Sequence, residues 1–253
     1  MRLLAILFLG TILAACTTVK DGPKPDLDKA AASRVAAGME YLRQGKPMEA
    51  QRHLTRAIEL NDDSPEAHNA LALLYRYQGD IDREERHLKK ALSADSDYGP
   101  ARLNYGTLLL RQGDTEKALR EFERAADNIS YDGRGMAYAN AGMALVSLGR
   151  AEEAKNAFNR ALRLNPQAIT PKLEMAHLMF DENDMRAAQF YYDQYVASVD
   201  QQSPRGLWLG IRIADQGGQA DRKASYELAL EKLYPQSPEY RAWKEWKAEG
   251  GQS

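Results

Sequence analysis

Residues 135–168 read GMAYANAGMALVSLGRAEEAKNAFNRALRLNPQA, and this stretch decides the fold. Ala141, Gly142, Ala154 and Ala161 are small where two antiparallel helices must touch. Leu145 and Phe158 are the larger side chains around that contact, and Tyr138 lies one helical turn ahead of Ala141. Gly149 stands where the first helix must stop, and Pro166 where the second must. The segment therefore predicts a helical hairpin that leaves an apolar side for a neighbour to cover.

The pattern recurs every 34 residues, which resembles the tetratricopeptide repeat. Residues 31–64 carry Ala37, Gly38, Tyr41, Gly45, Ala50, Leu54 and Ala57 at the matching positions, and residues 65–98 carry Leu71, Ala72, Tyr75, Gly79, Leu88 and Ala91. Residues 99–132 follow with Tyr105, Gly106, Leu109, Gly113, Ala118, Phe122 and Ala125. The phase then slips by two residues through 129–134, predicting a longer connection before repeat four. Repeats five (169–202) and six (203–236) are weaker. Glu84 and Arg222 replace the usual alanine at position 20, and Tyr195 stands at the small position 27, predicting looser hairpins there. Gly217 is expected in the turn of repeat six, and residues 237–253, with Tyr240, Trp243 and Trp246, form a capping helix. The predicted class is all-α: a superhelical solenoid of about six helix-turn-helix repeats plus the cap.

With 44% hydrophobic and 28% charged residues and a net charge of −2, the composition suits a folded chain and lacks the basic footprint of a nucleic-acid binder. Cys16 is the only cysteine, which excludes an internal disulfide. Arg2, the apolar run from Leu3 to Leu13 and the ending Leu13-Ala14-Ala15-Cys16 have the plan of a secretory signal over residues 1–15. That ending resembles the bacterial lipobox, in which the cysteine receives a diacylglycerol and an acyl chain. Thr17 stands where an Asp would favour the inner membrane, so the expected location is the periplasm-facing leaflet of the outer membrane. Residues 16–30, with Gly22, Pro23 and Pro25, read as a flexible tether.

No catalytic constellation is evident, and the expectation is a chain without enzyme activity, metal, other cofactor or small-molecule substrate. His53, His68, His87 and His177 lack helical metal spacing and read as surface or edge residues. The acidic run Asp181-Glu182-Asn183-Asp184 lacks calcium-loop spacing and reads as an inter-helix turn.

What such a stack does is bind. Positions 2, 5, 9, 12 and 13 of each first helix line an inner surface, and here they are mostly apolar with Arg or Tyr at the rim. The candidate protein-binding residues are Met39, Leu42, Asn69, Leu73, Tyr77, Leu103, Thr107, Leu110, Arg111 and Met143. Replacing Leu73 and Leu103 by Glu is expected to abolish partner binding and leave the helicity unchanged.

Beyond the repeats, four strings follow the lipobox in order: Leu103-Asn104-Tyr105-Gly106, Tyr131-Asp132-Gly133-Arg134, Gly206-Leu207-Trp208-Leu209-Gly210-Ile211 and Tyr234-Pro235-Gln236-Ser237-Pro238-Glu239. Together these resemble the type IV pilus biogenesis and stability lipoproteins of the PilF/PilW family. The resemblance implies a pilotin, an outer-membrane lipoprotein that binds subunits of the pilus secretin and promotes their localisation and multimerisation. Two other periplasm-facing repeat lipoproteins fit the same anchor and stack: an accessory subunit for β-barrel assembly, and a scaffold for cell-wall enzymes.

Overall fold

The computed structural model describes residues 26–251. Cys16, the signal segment and residues 16–25 of the expected tether lie outside the described residues. Among the described residues there are thirteen helices and no strand. They pair as α1 (Leu27–Arg43) with α2 (Pro47–Leu60), α3 (Pro65–Gln78) with α4 (Ile81–Ala94), and α5 (Gly99–Arg111) with α6 (Thr115–Asp127). Then come α7 (Arg134–Ser147) with α8 (Ala151–Leu164), α9 (Ile169–Asp181) with α10 (Met185–Val196), and α11 (Pro204–Gln216) with α12 (Ala220–Leu233). The last helix, α13 (Pro238–Ala248), covers the end of the stack. The chain is an all-α tetratricopeptide solenoid of six hairpins and a cap.

Local chemistry sets the boundaries. Helix α1 starts at Leu27, inside the stretch assigned to the tether, because the Asp26 side chain accepts the Lys29 backbone N–H at 3.1 Å and opens the helix early. Ser64, Ser203 and Ser237 cap α3, α11 and α13, each followed by a proline in the first turn, where its missing N–H costs nothing. The turn of each of the first five hairpins holds a left-handed residue: Gly45, Gly79, Gly113, Gly149 and, as the lone non-glycine among the described residues, Asn183 at φ 60°.

Repeat six departs from its expected register. Its left-handed residue is Gly218 rather than Gly217, because α11 runs one residue further before the turn and α12 starts one residue late. One residue rotates a helix by about 100°. The fully buried slot of α12 therefore goes to Leu230, and Ala229 is only half-buried.

Within each hairpin a small residue on the first helix faces a large one on the second. A Cβ on Gly142 would stand 2.6 Å from Cδ1 of Phe158, so the ring packs directly on the α7 backbone. Tyr195 does not loosen repeat five, as its size suggested. It is buried, its hydroxyl accepts the Ser203 backbone N–H at 2.9 Å, and its ring takes the space that Gly206 leaves in the next repeat. Glu84 does not loosen repeat two either: its carboxylate, 2% exposed, is ion-paired with Arg111 of the following hairpin. Arg222 lies at the surface of α12, paired with Asp193 at 2.6 Å.

The long connection, residues 128–133, is built around Tyr131, whose ring packs against Gly99 and Gly133. Asn128 Nδ2 donates to the Asp97 carbonyl at 2.6 Å and Arg134 Nε to the Ala126 carbonyl at 2.7 Å, locking its two ends. Helix α7 consequently leans on α6 more closely than α3, α5 or α9 lean on the helices before them.

Candidate functional site

The inner positions of the first helices are not uniformly available. Met39 and Leu42 are half-buried and pack on the core of repeats one and two; Leu110 and Met143 do the same at repeats three and four. Leu73 is half-buried, and Tyr77, 58% exposed, stands at the rim. Thr107 is half-buried, with its hydroxyl donated to the Leu103 carbonyl at 2.9 Å.

Three candidates carry structural duties. Leu103 is 8% exposed and belongs to the core that repeats three and four share. Leu103→Glu would bury a charge instead of probing a surface, so it is unsuitable as a binding variant. Asn69 is buried, its side-chain carbonyl accepting from Asn104 Nδ2 at 2.8 Å across the α3–α5 contact. Arg111 is the partner of Glu84.

A larger cleft, about 690 Å³, opens further along the stack. Met143 is the single predicted residue lining it, together with Ile169, Leu173, Tyr195, Arg205 and Tyr234. One wall holds the buried Glu174 carboxylate, which accepts Arg205 Nη2 at 2.8 Å. Applying positions 2 and 5 to repeat five picks out Thr170 and Leu173, which do line it. The sequence signal for this part of the surface is therefore the same positional rule carried into repeat five.

The histidines are less exposed than their spacing suggested. His68 is 3% exposed; its Nε2 lies 2.9 Å from the Asp62 carbonyl and its Nδ1 3.0 Å from His87 Nδ1. Burial, then the charge of His68, holds His87 down at about 4. His177 sits on α9, its Nε2 buried without a hydrogen-bond partner among the described residues. Burial, then Arg205 and Arg212, pushes it from 6.5 to about 3. Its folded pKa is depressed, so its contribution to stability is complete above pH 6.5 and is lost as pH falls towards 3. Urea midpoints are expected to fall between pH 6.5 and 5, and His177→Leu to lessen that slope by about 1 kcal/mol per pH unit. An unchanged slope would show that this imidazole is protonated in the folded state.

Among the described residues no group of three His, Cys, Asp or Glu side chains converges as a metal site. No described helix is long and apolar enough to cross a membrane.

Two tetratricopeptide-repeat family patterns match residues 35–99 and 98–167. The type IV pilus assembly protein PilF of Pseudomonas aeruginosa is 32% identical over 245 residues, covering 95% of this chain and 97% of PilF. The chain belongs to the PilF family of type IV pilus assembly proteins. The solved structure of P. aeruginosa PilF superposes with a TM-score of 0.83, covering 87% of this chain and 99% of that one. PilW, described as a widely conserved type IV pilus biogenesis factor, superposes with a TM-score of 0.73 at 24% identity over 84% of this chain and 97% of its own, and shares the fold. The family match spans the repeats and the region of the cap, so the weak repeats five and six are part of the shared architecture.

Proposed function

We propose that this protein is a non-enzymatic adaptor in type IV pilus biogenesis: a lipid-anchored pilotin that holds secretin subunits on its inner surface and promotes their localisation and multimerisation in the outer membrane. The observation that carries this reading is the relation to PilF, 32% identical along nearly the whole of both chains. The lipobox-like ending at Cys16 supports anchoring through a diacylglycerol and an acyl chain, in the periplasm-facing leaflet of the outer membrane. A tethered adaptor gains from effective concentration, because a modest affinity suffices once both partners share one membrane surface. The half-buried apolar side chains Met39, Leu42, Leu73 and Leu110, with Tyr77 at the rim, suit an extended or helical segment laid along the stack. The cleft at Met143, Ile169 and Leu173 continues that surface.

The test uses cells lacking the protein, restored with wild type, with Cys16→Ser, or with Leu73→Glu/Tyr77→Ala. Heat-stable secretin multimers in outer-membrane fractions are expected to disappear in the deletion and return with wild type. The Cys16→Ser copy should fail to place them in the outer membrane. The groove variant should bind secretin at least tenfold more weakly while its far-UV circular dichroism matches wild type. Normal multimers in the outer membrane of the deletion strain would overturn the pilotin reading.

A further inference from the structure

In the first three hairpins, repeat positions 4 and 23 meet, 19 residues apart. In repeat one Arg34 Nη1 lies 3.4 Å from His53 Nδ1, and in repeat two His68 lies 3.0 Å from His87. In repeat three Arg102 Nη1 donates to Glu121 Oε2 at 2.6 Å, and that arginine is 3% exposed. In repeat five Tyr191 occupies position 23 and packs into both neighbouring cores. In repeat four position 23 is the small Ala157, and Tyr138 is met instead by Arg160, whose Nη1 donates to its hydroxyl at 3.4 Å from the cavity wall. Ala141, at position 7, is also small where repeats two and three have Leu71 and Tyr105.

The result is a cavity of about 290 Å³ between α6, α7 and α8. Ala141, Leu145 and Ala157 form its apolar floor, and Glu123 and Asp127 bring carboxylates from α6. Among the described residues Arg150 pairs with Glu153 at 2.6 Å and Glu116 at 3.8 Å, and neither Glu123 nor Asp127 has an ion-pair partner. Arg160 turns its guanidinium onto the Tyr138 ring, 5.5 Å from the centroid. Burial, then Asp127, Glu153 and Glu116, raises Glu123 against the pull of Arg150. A cation entering between these carboxylates would relieve that repulsion.

We propose that this cavity, left open by the small Ala141 and Ala157 beneath the carboxylates of Glu123 and Asp127, receives an arginine side chain from a protein partner. The aliphatic stem lies along Ala141, Leu145 and Ala157, and the guanidinium meets Glu123 and Asp127 as Arg102 meets Glu121. Arginine fits better than lysine because a planar fork can engage both carboxylates. Tyr138, Ala141 and Leu145 occupy positions 4, 7 and 11, a stripe of the first helix separate from positions 2, 5, 9 and 12 of the inner surface. The site is thus additional to the proposed secretin groove and does not rest on it.

The test is an NMR titration of the full chain, prepared without acylation as Cys16→Ser, with N-acetyl-arginine methylamide. Shift changes centred on Tyr138, Ala141 and Ala157 are expected to approach saturation in the millimolar range. The neutral isostere N-acetyl-citrulline methylamide should leave them unmoved. Glu123→Gln/Asp127→Asn, both surface changes, should weaken binding roughly fivefold. Ala157→Leu, which fills the cavity, should abolish it. Equal shifts with citrulline, wild-type binding in either variant, or binding of free arginine without the blocked form would each overturn the proposal. Failure here leaves the Leu73→Glu/Tyr77→Ala result untouched, and the converse also holds.

Discussion

Replacing Arg111 by alanine is expected to destabilise repeats two and three by about 3 kcal/mol. Glu84 is the reason. Its side chain is 2% exposed at a position where this repeat usually has alanine, and Arg111 is the cation that neutralises it. The arginine side chain is itself 41% exposed, so its removal costs little in packing. The penalty is that of a carboxylate left in a dry contact. Glu84→Ala alone restores the usual small residue and frees Arg111 into water, a change expected to stay within about 1 kcal/mol. The double variant should resemble Glu84→Ala, giving a coupling of about 3 kcal/mol in a double-mutant cycle. Because a solenoid unfolds by segments, the readout is hydrogen exchange of α3 to α6 alongside urea midpoints. An Arg111→Ala cost below about 1 kcal/mol would show that Glu84 reaches water in the folded state. The same pair complicates any binding test at Arg111, since lost affinity there would mix recognition with loosened packing.

Trp243→Ala is expected to destabilise the C-terminal end by about 3–5 kcal/mol. The indole is 6% exposed and packs on Leu207, Ile211 and Leu230, the apolar end that repeat six offers to no further hairpin. Its Nε1 donates to Glu227 Oε1 at 3.1 Å, so the ring is fixed at both its polar and apolar ends. Trp246 adds an edge contact to Trp208, with centroids 5.5 Å apart. Terminal repeats in a one-dimensional stack need a covered outer face. Loss of the cap should therefore expose Leu207 and Ile211 and promote self-association visible by sedimentation. Exchange protection should fall in α11 to α13 and persist in α1 to α6. A uniform loss along the chain would show instead that the solenoid unfolds as one cooperative unit.

The sequence by itself determined the hairpins. Small residues such as Ala141, Gly142 and Ala154 opposite Phe158 specify a contact between neighbouring helices, which local periodicity records directly. The turn glycines and the Ser-Pro starts are equally local, being demands of one backbone position. Tertiary structure decided what lies between repeats. Leu73 and Leu103 hold positions of the same inner stripe, yet one stays half open and the other is core, because a template names the face of a helix and not how far the next hairpin closes over it. Tyr195 looked too large until Gly206, eleven residues on, gave it room. Glu84 looked misplaced until Arg111, 27 residues away, came to meet it. One extra residue before Gly218 rotated α12 and moved burial from Ala229 to Leu230, a change that composition does not register. The open cavity above Ala157 has the same origin. A missing side chain becomes a site only when three helices are placed around its absence, and that placement belongs to the superhelix.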